Sequence, residues 1–213
     1  FLFETNVGAG LPVIDTLNNL IASGDKIHKI QAILSGSLNF IFNAFTTGVA
    51  FHDVVLEAQE KGFTEPDPKI DLSGVDVARK ILILARESGL QIELNDIDNQ
   101  SFLPLETLQT NSNNAFFESL KANATHFDKL LEEANAKGAR LKYIAQLDGN
   151  KASVGLQHIF PDHDFYNLEG SDNIILFYSN SYNEQPLIVK GAGAGAEVTA
   201  AGIFGDIIRI GKR

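Results

Sequence analysis

The sequence predicts an α+β domain: a mixed, mostly antiparallel sheet with helices on one face. Three observations point there. Apolar residues recur at helical spacing through the front and middle of the chain, whereas strand-like runs gather late. Two of those late runs, 141–147 and 152–159, bracket Asp148-Gly149-Asn150, and Asp-Gly is a favoured pair for a tight antiparallel hairpin. Helices precede the strands instead of alternating with them, which disfavours a purely doubly wound sheet.

In chain order, Phe1-Leu2-Phe3-Glu4 reads as the tail of a strand and leads into a glycine-rich loop ending at Leu11. No methionine is present, even at position 1, so the chain is expected to be a piece of a longer protein. Pro12 suits the first turn of a helix on which Val13, Leu17, Leu20 and Ile21 share a face, and Gly24 follows its end. Residues 26–34 read as a strand, and 37–47 as a helix with a wide apolar face. Residues 51–61 form another helix, closed by Gly62. Pro66 and Pro68 then bar a helix across Glu65-Pro66-Asp67-Pro68. The next helix is predicted over 72–87, with Gly89 as its stop and Gly74 in its interior, where glycine costs about 1 kcal/mol relative to alanine. Residues 92–114 are rich in Asn and Gln and carry no regular pattern. A helix over 127–137 ends at Gly138, strands follow the hairpin at 174–178 and 187–190, and the run Gly191-Ala192-Gly193-Ala194-Gly195-Ala196 feeds a last helix over 198–210.

Composition narrows the function classes. Of 213 residues, 44% are hydrophobic and 21% charged, ordinary values for a globular protein. A net charge of −10 disfavours a nucleic-acid partner, which demands a basic surface. No apolar run is long enough for a bilayer span, and no signal-peptide pattern opens the chain. Cysteine is absent, which excludes disulfides and thiolate metal sites and fits a cytoplasmic protein. The five histidines show no metal-binding spacing, and Pro161-Asp162-His163-Asp164 reads as a turn.

The stretch 58–80 concentrates the chemistry. Glu65 and Asp67 ride a proline-stiffened turn, and Asp71, Asp76 and Lys80 follow on helical sequence. Asp76 and Lys80 are four residues apart and share a helix face. A lone pair of this kind is most often a solvated ion pair of little energetic weight. The turn changes that balance, because two prolines fix where the acids point. Acids with one lysine at a rigid turn suit a site that holds a small amine or hydroxyl and moves a proton. The 191–196 run fits either a glycine loop presenting helix N–H groups to an anion or a helix packed closely on a strand. The early Glu4-Thr5-Asn6-Val7-Gly8-Ala9-Gly10-Leu11 loop fits a structural turn, or carbonyls gathered on a monovalent ion.

Together these stretches resemble homoserine dehydrogenase from Glu4 to the C-terminus. The pattern Ala58-x3-Gly62-Phe63-Thr64-Glu65-Pro66-Asp67-Pro68-x2-Asp71-Leu72-x-Gly74-x-Asp76-x3-Lys80 fits the family signature, and residues 4–12 and 191–202 resemble two further family blocks. The Glu-Thr-Asn wording is closest to the bifunctional aspartokinase–homoserine dehydrogenases. Lys69 and Ile70 stand where family members often carry Arg and Asp, and Phe63 where they often carry Tyr.

The resemblance implies reversible interconversion of L-homoserine and L-aspartate 4-semialdehyde with NADP or NAD, in threonine, methionine and isoleucine biosynthesis. It implies Lys80 as proton donor and acceptor, Glu65 and Asp76 as substrate-binding residues with Asp71 in support, and Gly195 at the cofactor. The carbonyls of Glu4, Val7, Ala9 and Leu11 resemble the family's sodium (Na+) site. Residues 1–190 are expected to be a substrate-binding and dimerisation domain, and 191–213 a loop and helix returning to a nucleotide-binding domain whose opening strand–glycine loop–helix is not in this sequence. These residues alone are therefore expected to turn over negligibly, and the protein to be a homodimer or higher homo-oligomer. The rival expectation is a non-catalytic oligomerising or regulatory module of the same fold.

Overall fold

Side chains alternate along a strand, so each strand of a sheet must find cover for two faces. The computed structural model describes residues 1–212 and shows how this chain meets that demand. In chain order it contains α1 (Val13–Ala22), β1 (Ile27–Ile33), α2 (Gly36–Ala44), α3 (Phe51–Glu60), α4 (Pro68–Leu72) and α5 (Val75–Glu87). After these come β2 (Asp98–Gln100), α6 (Leu105–Leu108), α7 (Asn113–Ala122), α8 (Ala124–Ala136), β3 (Arg140–Asp148), β4 (Lys151–Ile159), β5 (Asp172–Ser179), β6 (Leu187–Ala192) and α9 (Ala196–Gly211). The six strands form one sheet in the order β2-β4-β3-β1-β5-β6. Only the short β2 runs parallel to its neighbour; the other pairings are antiparallel. The predicted hairpin is β3–β4, with Asp148 opposite Lys151.

Ile30 and Ala32 of β1, Tyr143 and Ala145 of β3, and Ile175 and Phe177 of β5 face the helices in the larger core. Phe51 of α3 stacks on Phe127 of α8 within it, ring centroids 4.2 Å apart. On the other face Ile33, Ile144, Ile174 and Leu176 meet Phe165 and Leu168 from the β4–β5 connection in a smaller core. The α+β architecture with helices on one face is thus the one the sequence predicts.

Three local expectations are corrected. Residues 1–3 lie outside any strand, and Glu4–Asn6 form a 3-10 turn. The helix predicted over 72–87 starts only at Val75, as α5, and Leu72 ends the separate α4. Gly74 sits between them as the N-cap of α5, at φ 72°, and a Cβ on that backbone would overlap the hydroxyl of Tyr143 beneath it. Glu65, Pro66 and Asp67 stay outside any helix, as the two prolines require, and α4 starts only at Pro68, where the missing N–H is no loss and the Asp67 side chain accepts the Lys69 N–H at 3.0 Å. The irregular 92–114 stretch contains a 3-10 turn at Leu94–Asp96, then β2, α6 and the start of α7. α7 is capped by the Ser112 hydroxyl and anchored by the fully buried Phe116 and Leu120.

Gly74→Ala should cost more than a left-handed alanine alone, about 2–4 kcal/mol in all, since the strained φ and the collision with Tyr143 add. Gly62, at the same φ of 72° with nothing within 4 Å of its added Cβ, provides the control. Gly62→Ala should cost only about 1–2 kcal/mol. Equal losses in urea unfolding would remove the Tyr143 contact as the reason for glycine at 74.

Candidate active site

The break at Gly74 aims two helix ends at one place. Asp71 lies on α4, and Asp76 and Lys80 on the first turns of α5. The helix dipole favours a carboxylate at Asp76, and the i,i+4 spacing brings it to Lys80, with Oδ2 2.7 Å from Nζ. The same Nζ donates to the Leu34 carbonyl at 3.0 Å, just past the end of β1. Two of the three ammonium N–H groups are thereby committed among the described residues. The Lys80 side chain is 21% exposed, so the ammonium is neither sealed nor free in solvent.

The two carboxylates on the turn behave differently. The Asp71 carboxylate accepts the Ser37 hydroxyl at 2.9 Å on one oxygen and the Glu65 backbone N–H at 2.9 Å on the other. Burial pushes the Asp71 carboxyl above its usual range, the Glu65 charge adds to that, and the two donors oppose it. The Glu65 carboxylate is exposed and has no hydrogen bond or ion pair among the described residues. Asp71 therefore shapes the turn from beneath, while Glu65 and Lys80 keep groups free to meet a ligand.

Two serines that sequence reasoning missed join these pairs. Ser35 caps α2 by accepting the Leu38 N–H, and its hydroxyl lies 2.9 Å from that of Ser37, the donor to Asp71. The chain of contacts runs from Lys80 to Leu34, on to Ser35 and Ser37, and then to Asp71 and Glu65. Ser-Gly-Ser at the head of an apolar run was the available signal, since Ser is a preferred N-cap. Under α5, Tyr143 donates to Asn99 at 3.2 Å, and Asn99 donates to the Ser73 carbonyl at 3.0 Å, fixing the α4–α5 corner to the sheet.

The other predicted residues lie on two adjoining loops. Glu4, Val7, Ala9 and Leu11 share the front turn, where Ala9 is the one non-glycine residue at positive φ (51°) among those described. The Leu11 carbonyl accepts the Val13 N–H at 2.8 Å and the Glu4 carbonyl the Val7 N–H at 3.4 Å; those of Val7 and Ala9 accept none among the described residues. The Glu4 side chain has a task that was not foreseen. It is buried and accepts the N–H groups of Ile14 and Asp15 at 2.7 and 2.9 Å, capping α1 from outside. Burial pushes its carboxyl up, and those two N–H groups pull it back. Gly195 is the exposed N-cap of α9 at φ 124°, without a side-chain cap. α9 lies against the front turn: a Cβ on Gly10 would overlap the Val198 carbonyl, and Asp206 accepts the Glu4 N–H at 3.2 Å. No hydrogen bond or ion pair joins Gly195 to Lys80 among the described residues. A cavity of about 560 Å³ opens elsewhere, between Phe42, Phe45, Leu131, Arg140 and Glu169, and none of the predicted site residues lines it.

Comparison with known proteins gives these positions a context. The homoserine dehydrogenase family model matches residues 12–208. A bifunctional aspartokinase/homoserine dehydrogenase 2, chloroplastic, from Zea mays is 50% identical over 212 residues, which cover 99% of this chain and 23% of the relative. The chain thus spans about a quarter of that protein's length. Among solved structures, a Candida auris protein of unknown function superposes with a TM-score of 0.94 at 42% identity, over 99% of this chain and 60% of that one. A hyperthermophilic archaeal homoserine dehydrogenase in complex with NADPH superposes with a TM-score of 0.71 at 28% identity, over 98% and 54% of the two chains.

The raised Asp71 carboxyl sets a pH signature. Its folded pKa lies above the reference 3.8, so the folded state holds this proton more tightly. The stabilisation is fully present below the unfolded pKa and is lost as pH rises through the folded one. The stability difference between wild type and Asp71→Asn should therefore move in favour of the wild type as pH falls from about 7 to about 4. Urea titrations at the two pH values that return a constant difference would show that Asp71 carries no such shift.

Proposed function

Because this chain belongs to the homoserine dehydrogenase family, we propose that it forms the substrate-binding and proton-transfer part of an enzyme interconverting L-homoserine and L-aspartate 4-semialdehyde with NADP or NAD. The observation that carries this is Lys80. Its ammonium is held by Asp76 at 2.7 Å and by the Leu34 carbonyl at 3.0 Å, with one donor left over at a partly open site.

The residues divide the work as follows. Oxidation of homoserine removes a hydride from the carbinol carbon and a proton from its oxygen, and the nicotinamide ring, when bound, takes the hydride. In the reverse direction the aldehyde oxygen gains negative charge, and Lys80 delivers a proton to it. Asp76 keeps the ammonium aimed. Glu65 and Asp76 offer carboxylates to the substrate ammonium through charge-assisted hydrogen bonds. Asp71 holds the Glu65 turn through the Glu65 N–H and the α2 end through Ser37.

The loops fit the remaining roles. Gly195 opens α9 with uncapped N–H groups, but Glu197 places an acid in the first turn, which disfavours an anion there. The loop therefore suits the nicotinamide end of the cofactor better than its phosphates. The uncommitted Val7 and Ala9 carbonyls, beside a strained Ala9, suit a hard monovalent cation such as Na+, with Glu4 and Leu11 completing the ring of carbonyls.

The reading extends to the assembly. Residues 1–190 act as the substrate-binding and dimerisation domain, and the loop and helix from 191 dock on a nucleotide-binding domain. The face of α9 that carries Ile203, Phe204, Ile207 and Ile210 is exposed, which supports such docking. Homo-oligomerisation and a cytoplasmic location belong to the same proposal, although the Zea mays relative is named chloroplastic. No helix among the described residues is long and apolar enough to cross a membrane.

In the enzyme that carries this chain, Lys80→Ala should lower kcat by about 10²–10⁴-fold while changing the KM for homoserine far less. Steady-state kinetics showing an unchanged kcat would take Lys80 out of proton transfer.

A further inference from the structure

Asn173 lies on β5 between the two halves of the candidate site. Ile174 pairs with Ile33 of β1, so Asn173 stands beside Leu34, the residue whose carbonyl anchors Lys80. On its other side Asn173 pairs with Gly191 of β6, where the glycine run begins. Alternation along β5 turns its side chain to the face that Ile175 and Phe177 share, the helix-covered one. The residue is 1% exposed, and among the described residues neither Oδ1 nor Nδ2 has a hydrogen-bond partner. The carboxamide packs directly against Gly193, at the position any side chain on 193 would need.

A buried amide left unpaired costs about 1–3 kcal/mol, and an apolar group of the same shape would avoid that. A donor and an acceptor sealed under a loop are better explained by a second arrangement of that loop than by packing. The loop beyond β6 has the freedom required: Gly195 sits at φ 124°, a region open to glycine.

We propose that Asn173 is a positioning residue that hydrogen-bonds the backbone of the 193–195 loop when the nicotinamide cofactor seats, fixing that loop relative to Lys80. The role rests on the cofactor reading of Gly195 given above. Asn173 touches neither substrate nor cofactor; it acts through the loop, and the glycine at 193 exists to let it approach.

The test uses the complete enzyme and Asn173→Leu, which keeps the shape and removes both polar groups. Its Tm should be unchanged or higher. Its NADPH affinity, read by fluorescence titration, should fall about tenfold, the worth of one or two lost hydrogen bonds. The KM for the cofactor should rise in parallel, and that for homoserine should hold. Hydrogen exchange supplies the readout that packing alone would not move: amides 193–195 should gain protection on NADPH addition in the wild type and not in Asn173→Leu. Full cofactor affinity in a folded Asn173→Leu overturns the inference while leaving the proposed function intact. Should that variant not fold, the wild-type exchange experiment decides alone, and a loop whose protection is indifferent to NADPH overturns it. A wild type that binds neither NADPH nor NADH defeats the cofactor reading itself.

Discussion

The carboxylate of Asp71 joins parts of the chain that have no other reason to meet. One oxygen takes the Ser37 hydroxyl, 34 positions away, and the other the Glu65 N–H. Asp67 and Pro68 start α4 and deliver Asp71 to that point, and Ser35 and Ser37 deliver α2. Glu65 can stand exposed on a defined turn only because its backbone is tied down beneath it. The raised Asp71 pKa reflects the burial this tie requires; two hydrogen bonds offset part of the desolvation and not all of it.

A second constraint sets the angle between the acids and the lysine. α4 and α5 are separated at Gly74, which turns at a left-handed φ, and only glycine fits this corner because the Tyr143 hydroxyl occupies the place where a side chain would lie. Tyr143 is itself nearly buried and held by Asn99, which also takes the Ser73 carbonyl. The sheet thus dictates the corner, the corner dictates where α5 begins, and α5 carries Asp76 and Lys80. Placement of the lysine is a property of the packing between helix and sheet more than of the helix itself.

What was legible in the sequence follows from the range of the interactions involved. The β3–β4 hairpin and helices α1, α3 and α8 are written in local periods, turn residues and closing glycines. So is the Asp76–Lys80 pair, which one helix face supplies. Gly74 was read as an interior glycine because nothing near it in sequence announces Tyr143. α7 escaped notice since its Phe116, Phe117 and Leu120 follow directly on an Asn-rich stretch, and the burial of Phe116 and Leu120 is a tertiary fact. The serine link to Asp71 and the amide of Asn173 under Gly193 likewise depend on strand register, which local pattern does not contain.

Two lysines show why perturbed titration is a poor guide to chemistry here. Lys142 is 1% exposed, and burial lowers its pKa to about 8, with Arg140 adding to the shift. By the usual association of shifted pKa values with function it would be the first candidate. Its ammonium, however, donates to Asn39 at 3.2 Å, to Asn43 at 2.6 Å and to the Leu168 carbonyl at 2.6 Å. All three N–H groups are spent on neutral oxygens in a closed site, so it joins α2 to the β4–β5 connection and has nothing left for a substrate. Lys80 spends two, on one carboxylate and one carbonyl, and reaches solvent. A proton donor needs a free N–H in reach of its acceptor before its pKa matters, and of these two lysines only Lys80 has one.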